Sequence, residues 1–378
     1  MVDRLLDRRR LAMAGLHAGA FLGPFGGGVT SAMLPELGAD FDVSATTASA
    51  TITAYLVPFA GLMLFSGTLG ARWGLRRSVI GAYLVSIAGS VLCAVSTTFP
   101  LLLAGRGVQG VANAFTTPLL IATIAATTPR ERLGRSLGLF ASLQAAGQTS
   151  APLLGGLAAE ASWRLAFVGV AVAAAALAAI GLPPSAESRP AEPARLRAAW
   201  RPEVLRAAAV ALVGWGCLGG LTFLVAFRTD DGFGLGASAR GLLLTAFGVV
   251  GMLTAHLVGR LIERTGARPA TLAGGVLGAV PIALIGVVPW LPAVAVLWAL
   301  AGFFAQFIQV GLNALVLTGD NANPAGAVSV VQAFRFVGAA LAPVAFTPVY
   351  HGSAAAGFLL PAVLLAAVTP LALLVRRR

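Results

Sequence analysis

Gly67-Thr68-Leu69-Gly70-Ala71-Arg72-Trp73-Gly74-Leu75-Arg76 and Gly259-Arg260-Leu261-Ile262-Glu263-Arg264-Thr265-Gly266-Ala267-Arg268 lie 192 residues apart and share Gly, Leu, Arg, Gly and Arg at the same five places. A second pair, Gly147 to Pro152 and Gly338 to Pro343, aligns at an offset of 191. Two independent matches at nearly one offset mark a duplicated unit of about half the chain.

Each stretch follows a long apolar run, and such runs fill the chain. The 378 residues are 58% hydrophobic and 11% charged, where a soluble domain is about 45–50% apolar and 25% charged. Spans are expected at roughly 11–34, 47–68, 77–97, 100–125, 135–158 and 163–182, and again at 205–226, 240–260, 269–289, 292–316, 326–347 and 353–375. Each is near the roughly 20 apolar residues a crossing helix needs. The polar stretch between the sets holds Pro183, Pro184, Pro190, Pro193 and Pro202, which break any helical period. The reading is an all-α membrane protein: twelve transmembrane helices in two six-helix bundles related by internal duplication, 1–182 and 204–378, joined by a cytoplasmic linker, 183–203.

Charge sets the orientation. All 26 cationic side chains are Arg, and the net charge is +12. Twelve spans put Arg4, Arg8, Arg9, Arg10, Arg72, Arg76, Arg77, Arg130, Arg132, Arg135, the linker arginines, Arg260, Arg264, Arg268 and the Arg376–Arg378 tail on one side. The other side holds Arg164, Arg228 and Arg240; Arg106 and Arg335 fall inside spans. Arg-rich loops stay in the cytoplasm, so both termini are expected there, in a plasma or inner membrane. The basic clusters suit an anionic leaflet rather than nucleic acid. Cys93 and Cys217 lie in apolar runs without metal-ligand spacing, and neither a cofactor nor an obligate oligomer is signalled, so a monomer is expected.

Polar side chains are costly in hydrocarbon, so a polar helix face lines a cavity or glues helices together. Span 4 carries Arg106, Gln109 and Asn113 on one face, and span 10 carries Gln306, Gln309 and Asn313. Gln144 and Gln148 sit in span 5, and Gln332 and Arg335 in span 11. These ten residues are the candidate substrate cavity, with interhelical hydrogen bonding as the alternative. Arg335 lies near the midplane and needs water, a carbonyl, an acid or an anionic substrate. None of the 14 acids lies deep in a span. Proton coupling then falls to His17 in span 1, to His256 in span 8 or to a rim acid such as Glu36, or else the substrate is neutral or anionic. Three scattered His without a deep acid argue against a membrane-embedded enzyme. A chain without Lys has no Walker-type nucleotide loop.

The motifs resemble those of the Major Facilitator Superfamily, within it the twelve-span drug/proton antiporter-like group. Gly67, Leu69, Arg72, Gly74, Arg76 and Arg77 are similar to its G-x-L-x-D-R-x-G-R-R loop, and Arg106, Gln109 and Gly110 to R-x-x-Q-G. Gly147, Ala151, Pro152, Gly155 and Gly156 are similar to a packing motif of efflux members. Asp40-Phe41 and Trp163-Arg164 also fit. The resemblance implies a secondary transporter working by alternating access, exporting small amphipathic, neutral or anionic molecules against protons. An uptake carrier and a transport-inactive sensor are the alternatives. It further implies gating at the loops after spans 2 and 8, through Gly67, Arg72, Gly74 and Arg76 and through Gly259, Glu263, Arg264, Gly266 and Arg268. The acid of the first loop is Ala71 here, whereas the second copy keeps Glu263, so the implied latch is one-sided.

Overall fold

A computed structural model describes residues 2–128, 130–183, 201–318 and 324–374. The described residues are helices joined by short turns, as a hydrocarbon solvent requires, because a helix satisfies its own backbone polar groups. The N-terminal half comprises α1 (Val2–Gly28), α2 (Leu34–Asp40), α3 (Ala45–Ala48), α4 (Ala50–Trp73), α5 (Leu75–Ala94), α6 (Phe99–Thr127), α7 (Arg130–Ala161) and α8 (Arg164–Ile180). The C-terminal half comprises α9 (Pro202–Gly216), α10 (Thr222–Phe233), α11 (Ala237–Thr265), α12 (Ala267–Ile285), α13 (Leu291–Thr318), α14 (Pro324–Gly352) and α15 (Ala354–Leu374). Most of the linker lies outside the described residues, and α9 already begins at Pro202.

Nine described segments are long and apolar enough to cross a membrane, and α8 is a shorter apolar helix. The two remaining passes, α1 and α7, are the Gly- and Gln-rich ones, and they pack along each other. Span 7 is not one helix: α9, a 3-10 turn at Gly219–Leu221 and α10 share it. Consequently Arg228, Asp230 and Asp231, just past the expected end of span 7 at 226, lie on α10.

The duplication is written in contacts. Within the first half α1 packs on α7, α4 on α6, α5 on α6 and α5 on α8; the second half repeats this with α9 on α14, α11 on α13, α12 on α13 and α12 on α15. Individual glycines repeat too. Gly147 lies against the Phe21 carbonyl and Gly338 against the Leu212 carbonyl, so both partners shift by 191 residues. Gly110 meets the Tyr55 carbonyl and Gly302 the Phe247 carbonyl, both shifted by 192. Gly74 and Gly266 turn the chain with φ of 89° and 90°, a region other residues avoid.

α5, α8, α12 and α15 carry exposed apolar side chains such as Leu84, Val172, Val280 and Leu371, which suit a lipid-facing perimeter. The halves meet along α7 with α11 and α4 with α14. Along α7 the efflux-type motif divides its work. Gly147 and Ala151 face α1 and Gly155 faces Val29 in the turn that follows it, while Gly156 and the Pro152 carbonyl face Ala237 and Gly241 of α11. Small residues allow this close approach of backbones across the two halves.

Candidate functional site

The first pass of each half breaks at a matching place. α1 gives way after Gly28 to a 3-10 turn, Val29–Ala32, and 191 residues later Gly219 opens the turn after α9. A break frees main-chain carbonyls where water is scarce, and they need donors. In the first half Arg106 supplies them. It is fully buried and donates from Nη1 to the Gly26 carbonyl (2.8 Å) and Gln109 Oε1 (2.7 Å), from Nε to the Thr51 carbonyl (3.3 Å) and from Nη2 to the Gly27 carbonyl (3.4 Å). Its guanidinium also lies 4.4 Å from the Tyr55 ring centre. Gln109 Nε2 donates to Ser90 (2.7 Å), and Asn113 Oδ1 accepts from Thr116 (2.9 Å). The polar face of span 4 is thus turned into its own bundle, where Gln109 and Asn113 line a cavity of about 20 Å³. Arg106 is consumed by backbone and does not snorkel.

The second half differs. Gln309 and Asn313 of α13 and Gln332 and Arg335 of α14 converge with Trp215 of α9 on another cavity of about 20 Å³. Arg335 is 8% exposed, its guanidinium carbon 3.5 Å from the Trp215 ring centre. Nη1 donates to Gln332 Oε1 (3.2 Å), whereas Nε is buried without an acceptor. Four of the ten expected cavity residues therefore meet here. Gln306 lies beside Gly251 of α11, Gln144 is half-buried on α7, and Gln148 is exposed there.

A third cluster joins the halves at the end of the bundle carrying α2. Arg240 of α11 is 2% exposed and binds Glu36 of α2 through Nη2 and Asp230 of α10 through Nη1 (2.5 Å). Nε donates to the Ala32 carbonyl (3.2 Å) and Nη1 to the Leu235 carbonyl (2.7 Å). Glu36 belongs to one half and Asp230 to the other. Nearby, Glu160 accepts from the Ser238 amide (3.2 Å), Thr53 donates to the Ala340 carbonyl (2.8 Å), and Thr46 meets His351. Phe59 stands edge-on to Phe336, 4.7 Å between centres. Towards the opposite end, the linker face, a Cβ added at Gly61 or Gly259 meets nothing within 4 Å, and Phe65 and Met252 are exposed. The described cross-half side-chain contacts thus gather at the α2 face.

Sequence reading gave Glu36 a proton and Arg240 no role. The available signal was that Arg240 is one of three arginines on the Arg-poor side. A second of those, Arg164, binds Asp40 at 2.8 Å, and Trp163 donates to the same carboxylate (3.1 Å). The Asp40-Phe41 and Trp163-Arg164 pairs thus form one cluster, with the Phe41 and Trp163 rings 5.5 Å apart. His17 is held between Met13 and Ser136 at 2.8 Å each, which ties α1 to α7. The His256 and Arg72 side chains and the surroundings of Gly67 lie outside the described residues. Arg76, Glu263, Arg264 and Arg268 are exposed at the linker face.

Two repeated helical bundles around a seam, built of apolar crossing helices, define a multi-pass membrane protein of duplicated architecture. The Major Facilitator Superfamily family model matches residues 16–343, and the chain belongs to that family. It is 36% identical over 137 residues to the Mycobacterium tuberculosis "Uncharacterized MFS-type transporter EfpA", 36% of this chain and 26% of that protein. It is 34% identical over 149 residues to that organism's "Multidrug resistance protein B homolog" (38% and 28%), and 35% identical over 129 residues to the Bacillus subtilis "Methylenomycin A resistance protein" (33% and 28%). The aligned part is thus under a third of each relative's length. A bacterial homologue of the human lysosomal transporter Spinster, solved inward-facing and occupied, superposes with a TM-score of 0.77 at 18% identity over 96% of both chains. Its unoccupied form gives 0.75 at 17%, over 97% of this chain and 96% of that one.

Proposed function

We propose that this protein is a secondary active transporter that exports small amphipathic, neutral or anionic molecules by alternating access, in exchange for protons. The observation that carries the reading is the seam: two repeated halves are tied to each other at the α2 face by side chains, the Arg240–Glu36 ion pair and the Thr53 bond to the Ala340 carbonyl, and the second half holds a polar pocket among α9, α13 and α14. Rocking two repeats about a site between them is a recurrent transport design. The Arg-rich linker face is taken as cytoplasmic, which puts the α2-face seam on the outer side. Export is favoured by the names of two relatives, which concern multidrug and methylenomycin resistance.

Of the titratable candidates, Glu36 has the clearest mechanical consequence. It faces the Arg240 guanidinium, which Asp230 shares, and neutralising it removes the cross-half ion pair while Asp230 keeps Arg240 satisfied within its own half. The protein acts as a monomer, with its substrate and a proton as partners in the bilayer. The test is reconstitution into proteoliposomes with an imposed pH gradient and a panel of antibiotics, organic anions and neutral solutes. Export predicts substrate movement against the proton gradient that collapses with a protonophore. Movement in the same direction as protons makes it an uptake carrier, and gradient-independent binding without movement makes it a sensor.

A further inference from the structure

Three buried arginines occur among the described residues, and their surroundings differ in kind. Arg106 gives its donors to three backbone carbonyls and a glutamine, and Arg240 binds two carboxylates and two carbonyls. Arg335 has the Trp215 face on one side, one glutamine oxygen, and a buried Nε with no acceptor. No carboxylate of its own helices can reach it. α13 and α14 contain no Asp or Glu, and the single acid of α9, Glu203, lies twelve residues from Trp215, roughly 18 Å along a helix. A buried guanidinium without a counter-charge is costly. Repeat symmetry places Gln144 where the second half has Arg335, so this position carries a charge in one half only.

We propose that this pocket is an anion seat: Arg335 binds the carboxylate end of an amphipathic substrate, with the side-chain amides of Gln309, Asn313 and Gln332 as further donors. This deepens the transport reading and rests on it. The cavity, about 20 Å³, has room for about one water-sized group. Only the charged end enters, and the apolar body remains outside the seat. Trp215 holds the planar guanidinium from one face, which presents its edge to a planar acid group, the geometry in which Arg recognises carboxylates.

The test uses the full chain in nanodiscs and three probes with one aromatic body: 2-naphthoate, 2-naphthamide and 2-naphthylmethylammonium. Binding is measured by calorimetry, with formate as a competitor small enough for the seat. The expected result is naphthoate binding about tenfold or more tighter than the amide, as a charge-assisted hydrogen bond requires, with the cation weakest. Arg335→Gln should erase the acid-over-amide preference and leave amide affinity unchanged, and Arg335→Lys should retain part of it. Gln332→Leu, which keeps the charge, should lower the preference several-fold and serves if Arg335→Gln does not fold. Equal binding of acid and amide by the wild type, or an undiminished preference in Arg335→Gln or Gln332→Leu, overturns the seat. In proteoliposomes the two readings separate. Transport without acid preference removes the seat alone, and acid-selective binding without movement of any probe removes transport alone.

Discussion

Replacing Glu36 by Gln should open the α2 face. Breaking a fully buried ion pair costs about 3–5 kcal/mol, and an exposed pair is worth about 0–1 kcal/mol. Here Arg240 is 2% exposed but Glu36 is 29% exposed. Arg240 also keeps Asp230 and the Ala32 and Leu235 carbonyls in the variant, and Gln retains an acceptor oxygen. The expected loss of closed-state stabilisation is therefore about 1–2 kcal/mol, a factor of about 5–30 in population. A closed state favoured about 100:1 would fall to between about 20:1 and 3:1. The assay is double electron–electron resonance between spin labels at exposed Thr47→Cys and Ser353→Cys, on opposite halves at the α2 face. The buried Cys93 and Cys217 are replaced by Ala in this background. Asp230→Asn is the internal control. Asp230 shares a half with Arg240, so losing it leaves Arg240 more dependent on Glu36 and should not populate the open state. An unchanged distance distribution in Glu36→Gln, or an equal shift in both variants, refutes the reasoning.

Gly156→Val should weaken closure of the α2 face, because any Cβ there runs into the Ala237 backbone of α11; the same label pair should show a longer distance. Arg106→Leu should lose several kcal/mol, as expected when buried partners lose a charge they depend on, seen as a lower folded yield and a lower Tm rather than as altered substrate preference. Gly74→Ala and Gly266→Ala should each lower thermal stability, since both glycines hold φ near +90°, a strain of order 1–3 kcal/mol for other residues. His17→Asn should leave proton-driven transport in place if the histidine only ties Met13 and Ser136; loss of coupling with retained binding would restore its proposed role as a proton carrier.

The duplicated membrane architecture was legible in the chain because it rests on short-range properties. Apolar run length decides what crosses a bilayer, and one offset of 191–192 recurs in the loop stretches and in the Gly147–Pro152 and Gly338–Pro343 pair. Those features need no knowledge of which helix faces which, and the structure repeats the offset in the glycine contacts and in the φ values of Gly74 and Gly266. The polar rows were visible too, but not their fates. Spacing placed Arg106, Gln109 and Asn113 on one face, as it did Gln309 and Asn313; it could not tell an arginine whose donors are all taken from one left with an unpaired nitrogen. That distinction arises at the helix breaks. The carbonyls of Gly26 and Gly27 claim Arg106, whereas in the second half Trp215 packs on Arg335 and its Nε is left without an acceptor. Arg240 and Glu36 lie 204 residues apart, each unremarkable at the start of its own helix. Only the packing of α11 on α7, permitted by Gly156 and Gly241 where the backbones meet, sets Arg240 beside Glu36 and turns the two charges into a lock between halves.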